Sequence, residues 1–477
     1  MSVTKKNTCS PANRWQILAA MLVILIMTPL DGTSVNVVLP IIQREFHLAL
    51  SQIAWVSLIY LLFLTSFILP FGRVGDIWGF RRVFLAGALI FVLSSLMCGL
   101  APVFHLLIIA RVVQGIGACM LMSVSSGLTT AIFPANERGR ALGVVGMVIA
   151  VGAIIGPSFG GFLTSIGGWR LIFFINIPIG AVGLFLCNRM LPEIRPDRTG
   201  SIDWTGAFML VVSLGSFMLA VTQGEYWGWK SPAVLGLTAV WLMFGTMFLV
   251  MESRSHSPIL DLSLFHHPVF TGANIALTMN FMSQFCMSFL VPKYLIDVMH
   301  MPIGRTGLVM MATPIAIFVL APFSGALSDK IGTRPLAVAG ELLVTLGLAS
   351  LAFTVPYKNL AYVVSSLAVL GVGAGLFQSP NNSAIMGSVP RDRLGTGSAV
   401  LAAMRNLGMA LGITAASVSA TLGMGHFIRT HAGMTAQSLL YGIQFSFFTG
   451  TVFAFMGVLA SAVRPDTKTH QTLRENG

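Results

Sequence analysis

Apolar runs long enough to cross a lipid bilayer recur along the whole sequence, and no other feature narrows the possible folds as far. A hydrocarbon core about 30 Å thick needs roughly 20 mostly apolar residues in a helix that rises about 1.5 Å per residue. Breaking the chain at charged, proline-rich and glycine-rich stretches predicts fourteen such helices, starting near Ile17, Ala54, Val83, His105, Ala141, Arg170, Thr205, Val234, Val269, Gly307, Leu336, Ala361, Gly395 and Gly442. Backbone groups in lipid have only one another to bond with, so the reading is an all-α membrane protein. Charged residues make up only 9% of the 477 and hydrophobic ones 55%, too apolar a balance for a water-soluble domain. The first run, Ile17 to Leu39, is too long for a signal-peptide core and reads as a retained span.

An even number of spans puts both termini on one side. Sorting lysines and arginines by side gives nineteen with the termini and seven opposite, leaving Arg111 and Arg405 inside helices. The positive-inside rule then places the termini in the cytoplasm of a multi-pass protein of the cell inner membrane. The net charge of +12 is spread over short loops, so membrane lipid is expected as a partner and nucleic acid is not; a small-molecule substrate and protons are expected as partners only through the family resemblance described below. Nothing in the sequence identifies an adaptor protein.

Several chemistries are disfavoured. No loop exceeds about 20 residues, too little for a soluble catalytic domain of ordinary size, so the chain is not expected to be an enzyme. None of the seven lysines follows a glycine, which rules out a phosphate-binding P-loop and argues against an ATP-driven pump. The five cysteines form no CxxC pair and the nine histidines fall in loops or at helix ends, so neither a metal site nor a cofactor is expected.

An internal repeat organises the chain. Gly72, Asp76, Gly79 and Arg81 recur as Gly325, Asp329, Gly332 and Arg334 at a constant offset of 253, each copy in a short loop between two spans. Two six-helix halves placed end to end give an offset nearer 200 at this helix density; the excess is about two helices. The predicted organisation is therefore residues 1–204 as a first half, 205–251 as two inserted helices and 252–477 as a second half, with the substrate site between the halves.

Four motifs carry a family resemblance. The loop GRVGDIWGFRR, from Gly72 to Arg82, has its second copy in GALSDKIGTRP. Span 4 contains Arg111, Gln114, Gly115 and Gly117 in RVVQGIG. Span 5 contains Gly152, Gly156, Pro157, Gly160 and Gly161 in GAIIGPSFGG, and span 1 contains Asp31, Thr33, Asn36 and Pro40 in LDGTSVNVVLP. Together these resemble the major facilitator superfamily, and within it the fourteen-helix drug:proton antiporters of the EmrB/QacA type. The resemblance implies the major facilitator fold, two six-helix bundles plus two inserted helices. It also implies export of amphipathic drugs by proton antiport, hence a part in antibiotic resistance. Under it the loop residues, Arg81 and Arg82 included, are expected to latch helix ends across the two halves, the alternative being a solvated turn. Arg111 is implicated in proton transfer, and the span 5 motif in the antiporter class. On spacing alone, glycines at i, i+4 and i+8 clear one helix face for close approach, which an ordinary packing seam also does.

Charges inside the membrane are costly and mark candidate sites. Four fall well within predicted spans: Asp31, Arg111, Glu341 and Arg405. Counting rises of about 1.5 Å from either end puts Asp31 and Arg111 both about 21 Å from the cytoplasmic surface. A pair is plausible, either proton-coupling or a static salt bridge. Glu341 lies five residues into predicted span 11, where it could reach the interface or cap the loop. Arg405 could pair with Glu341, bind an acidic substrate or hold packing. Amphipathic side chains proposed for the substrate cavity are Asn36, Trp55, Tyr60, Gln114, Asn280, Gln284, Gln378, Asn381 and Asn382. The leading reading is a proton-coupled exporter of amphipathic small molecules or drugs. Its rivals are an exporter dedicated to one endogenous metabolite and an uncoupled channel or receptor.

Overall fold

The computed structural model describes residues 11–134, 137–193, 204–254, 262–389, 394–430 and 435–465; among these there is no strand. Thirteen described helices are long and apolar enough to cross a membrane, and Arg138–Gly167 is a further helix of 30 residues. In chain order they are α1 (Asn13–Glu45), α2 (Leu50–Trp78), α3 (Phe80–Leu100), α4 (Phe104–Ile132), α5 (Arg138–Gly167), α6 (Leu171–Met190) and α7 (Trp204–Trp227). There follow α8 (Pro232–Arg254), α9 (Pro268–Val298), α10 (Ile303–Met310, continuing as Ala312–Ile331), α11 (Thr333–Thr354), α12 (Leu360–Gly387), α13 (Leu394–Thr430) and α14 (Thr435–Val463).

Prolines explain where these helices falter. In α1 the regular helix breaks at Ile26, because Pro29 has no N–H for the carbonyl of Leu25. The Thr28 hydroxyl donates to that carbonyl instead, at 3.1 Å. The break sits just over one turn before Asp31. Pro314 does the same to Met310, at the Met311 break in α10.

Helices α1–α6 pack among themselves, and so do α9–α14. The two sets meet chiefly between α1 and α9, α2 and α13, and α5 and α10, with a smaller contact between α1 and α10. Helix α7 packs against both α2 and α13, and α8 lies alongside α7. Little of α8 is buried, and Leu235, Leu242 and Leu249 on it are exposed, a surface suited to lipid and not to water.

Candidate functional site

The first helix set encloses a polar cluster with almost no exposed surface. Asp31 on α1 is 0% exposed and Arg111 on α4 is 1% exposed, and Arg111 Nη1 donates to Asp31 Oδ2 at 2.5 Å. The other oxygen, Oδ1, accepts from Gln114 Nε2 at 3.2 Å and from Asn176 Nδ2 at 3.4 Å. Arg111 also donates to the Gln114 side-chain oxygen at 2.7 Å and, through Nε, to the Val56 carbonyl at 2.9 Å. Its guanidinium lies 4.4 Å from the centre of the Tyr60 ring. Ser95 Oγ accepts from both Gln114 and Asn176, at 2.7 and 3.2 Å. Five helices thus contribute to one network around a carboxylate, which charge-assisted bonds from α4 and α6 satisfy in place of water. Ser95 and Asn176 were not legible in the sequence: a single small polar residue in an apolar run has no spacing to mark it.

The other face of α1 lies on α5. A β-carbon on Gly152 would stand 3.1 Å from the Ile26 carbonyl, and one on Gly160 would stand 2.8 Å from Ser34 Cβ. Gly156 touches Thr33 and Leu30, and its own carbonyl accepts from Ser34 Oγ at 2.7 Å. The neighbouring edge of α5 meets the second helix set. A β-carbon on Gly161 would lie 2.7 Å from the Ile303 carbonyl, and one on Gly307 would lie 2.5 Å from the Pro157 carbonyl. The glycine motif is therefore clasped between α1 and α10.

A second polar cluster joins α1 to α9 at the end of the bundle away from the termini. Arg44 is ion-paired with Asp297, and Lys293 Nζ donates to Asp297 Oδ2 and to Gln43 Oε1, both at 2.7 Å. Below them Asn36 donates to Ser288 Oγ at 3.4 Å and accepts from Ser57 at 2.9 Å. Asn36 thus lies at the joint between the helix sets, 1% exposed. Glu45 ties the same end of α1 to the start of α6 through Trp169 Nε1 at 2.6 Å and Arg170 at 2.7 Å. None of Gln43, Lys293 and Asp297 stood out in the sequence, because apolar character ends there and the charges read as loop.

The described bonds of the loop arginines stay within their own helix sets and do not form the expected latch across the halves. Arg81 donates to the Asn188 carbonyl at 2.6 Å and Arg82 pairs with Glu193 at 2.8 Å, both near the end of α6 in the same helix set. Arg334 donates to the Ala462 carbonyl at the end of α14, again within its own set. Each repeat fastens its loop arginine to its own last helix. Gly79 and Gly332 share φ 96°, a backbone conformation costly for any side chain, while Gly72 and Gly325 lie within helices. The side chains of Asp76 and Asp329 lie outside the described residues.

The remaining cavity candidates are scattered. Trp55 is half-buried and Tyr60 buried, and neither polar atom has a partner. Gln284 donates to Asn280 at 2.5 Å, both buried. Asn381 is buried near the terminal side, accepting from Arg464 at 2.7 Å and donating to the Ala273 carbonyl at 3.0 Å. Gln378 is half-buried and Asn382 exposed. Helix α11 starts at Thr333, so Glu341 is about 12 Å in at about 1.5 Å per residue. It is 0% exposed and caps no loop. Its two oxygens accept no hydrogen bond, so Arg405 does not pair with it.

A bundle of membrane-length helices in two packed sets, with charges buried between helices, defines a multi-pass membrane protein, and a match to one family makes it a transporter. The chain belongs to the Major Facilitator Superfamily, whose model matches residues 21–413. It is 34% identical over 400 residues to the riboflavin transporter RibZ of Clostridioides difficile, covering 84% of this chain and 86% of that one. Multidrug resistance protein Stp of Mycobacterium tuberculosis is 33% identical over 405 residues, 83% of this chain and 75% of Stp. Among solved structures, a bacterial homologue of the human lysosomal transporter Spinster, inward-facing and unoccupied, superposes with a TM-score of 0.70. It is 19% identical and is matched over 95% of this chain and 98% of that one, a likeness of fold.

Proposed function

We propose that this protein exports amphipathic small molecules in exchange for protons by alternating access, with Asp31 as the proton carrier and Arg111 as its partner. The observation that carries the reading is the Asp31 carboxylate, 0% exposed, held by a cation and two amides from two other helices. A proton arriving at Asp31 cancels the charge that holds Arg111 and Asn176, loosening α1 from α4 and α6 at one level. Since α1 also lies on the α5 glycines and is tied to α9 at its far end, a change at Asp31 bears on the joint between the helix sets. The halves, residues 1–204 and 252–477, would rock about that joint, with 205–251 as inserted helices and both termini cytoplasmic in the cell inner membrane. Relatives named as a multidrug resistance protein and a multidrug transporter support the drug-exporter reading, of which the fourteen-helix EmrB/QacA subtype is the form we propose. The relative named as a riboflavin transporter favours a second reading, one dedicated metabolite. Proteoliposomes with an imposed pH gradient, offered lipophilic dye cations and flavins separately, test both. Gradient-dependent movement of several unrelated compounds supports drug export, movement of one supports the dedicated transporter, and movement without a gradient requirement removes proton coupling.

A further inference from the structure

Glu341 is a carboxyl group with nothing to balance it. It sits on α11 at 0% exposure, and neither oxygen has a hydrogen-bond partner. The space it fills exists because residue 457 on α14 is glycine: a β-carbon there would stand 3.0 Å from Glu341 Cδ and 3.1 and 3.2 Å from its oxygens. From α9 the neighbouring polar group is Asn280. The oxygen of Asn280 is engaged by Gln284, while its Nδ2, buried and with no other partner, stands close to the Glu341 carboxyl without reaching full hydrogen-bond geometry.

The charges on the helices around it are committed elsewhere. Lys293, at the far end of α9, binds Gln43 and Asp297. Arg334, seven residues earlier on α11, donates to the Ala462 carbonyl, and Arg464, just past α14, donates to Asn381. Lys330 lies at the end of α10 beyond Gly332, and α12 carries no Asp, Glu, Lys or Arg. Cys286 on α9 donates to the Gly412 carbonyl, and Tyr362 lies near the opposite end of α12. An ionised carboxylate without a counter-charge is far costlier to bury inside a protein than the neutral acid. In this conformation the geometry suits the acid.

We infer that Glu341 is a second proton-binding site, carried by the second repeat and separate from the Asp31–Arg111 pair, with Asn280 Nδ2 as the donor that receives the carboxylate when the proton leaves. This deepens the proton-coupled reading and rests on it for its role in transport. On release the O–H bond of Glu341 breaks, the proton passes to water, and the carboxylate accepts a hydrogen bond from Asn280. Asn280 rides on α9, the helix whose other end carries Ser288, Lys293 and Asp297, so tilting α9 moves the donor relative to the acid.

Infrared difference spectra of the full-length protein in lipid nanodiscs, titrated with pH and needing no substrate, read this directly. The expected result is a carboxylic-acid carbonyl band that disappears on alkaline titration in wild type and in Asp31→Asn, is absent in Glu341→Gln, and is displaced in Glu341→Asp. Total proton release on an alkaline jump should fall by one proton per chain in Glu341→Gln. Gly457→Ala, which presses a methyl group onto the carboxyl, should shift the band in a folded protein. A band unchanged by Glu341→Gln or Gly457→Ala, or one that does not titrate while the protein stays folded, overturns the inference. Loss of gradient-driven transport in Asp31→Asn with no Glu341 band would sink this inference alone. A titrating Glu341 band with normal gradient-driven transport in Asp31→Asn would sink only the assignment of Asp31.

Discussion

Arg44 and Asp297 are ion-paired between α1 and α9, and they stand 253 positions apart, the same offset that separates the two copies of the loop motif. Asn36 and Ser288, one bond further in, are 252 apart. Equivalent stretches of the two repeats therefore face each other at this end of the bundle, as expected where a pseudo-two-fold axis passes between first helices.

Breaking this joint should favour opening of the end away from the termini. Arg44 is 58% exposed, so its pair with Asp297 contributes no more than about 0.2–1 kcal/mol, at most roughly a fivefold change in population. Lys293 is 11% exposed and serves two partners, so Lys293→Ala should shift the distribution further than Arg44→Ala. Spin-label distances between the ends of α1 and α9 measure this. Equal effects, or none, would remove the joint from the mechanism.

Arg111 should matter to stability as well as transport. Arg111→Ala leaves a buried carboxylate without its cation, a loss of about 3–5 kcal/mol for a pair of this kind. Arg111→Lys should rescue little, because an ammonium cannot copy the Nε bond to Val56 together with the Nη1 bonds to Asp31 and Gln114. Thermal melting in detergent should rank wild type above Arg111→Lys above Arg111→Ala, with Asp31→Asn combined with Arg111→Gln recovering stability but not transport. A melting temperature unmoved by Arg111→Ala would contradict the account of the cluster.

The helix joint makes a sharp comparison between two glycines one turn apart. A β-carbon at Gly307 would press on backbone, 2.5 Å from the Pro157 carbonyl, whereas one at Gly304 would meet nothing within 4 Å. Overpacking of this kind costs about 1–3 kcal/mol. Gly307→Ala should lower both melting temperature and turnover, while Gly304→Ala should leave both unchanged. The reverse order would show that α5 and α10 do not meet as described.

The membrane architecture was legible because lipid imposes one hydrogen-bonding solution and one span length. The pairing of Asp31 with Arg111 was legible for a related reason: depth can be counted residue by residue along a membrane span, even one broken at Ile26. Lateral position cannot, and so Asn176 and Ser95, which complete the cluster from α6 and α3, were invisible. The bond between Asn381 and Arg464 was invisible because nothing in the sequence marks Arg464, beyond the last span, as a partner. The offset of 253 did hold the clue to Arg44 and Asp297, but only for residues taken to lie at helix ends and not in loops.

Asp31 is the residue on which the account stands, and gradient-driven transport by Asp31→Asn tests it most directly. The variant should fold, since Arg111 keeps its bonds to Val56 and Gln114 and its place over the Tyr60 ring. With a compound that wild type moves, vesicles carrying Asp31→Asn should still exchange it in counterflow but fail to accumulate it when a pH gradient is imposed. Accumulation at the wild-type level under that gradient would contradict the assignment of Asp31 as the proton carrier.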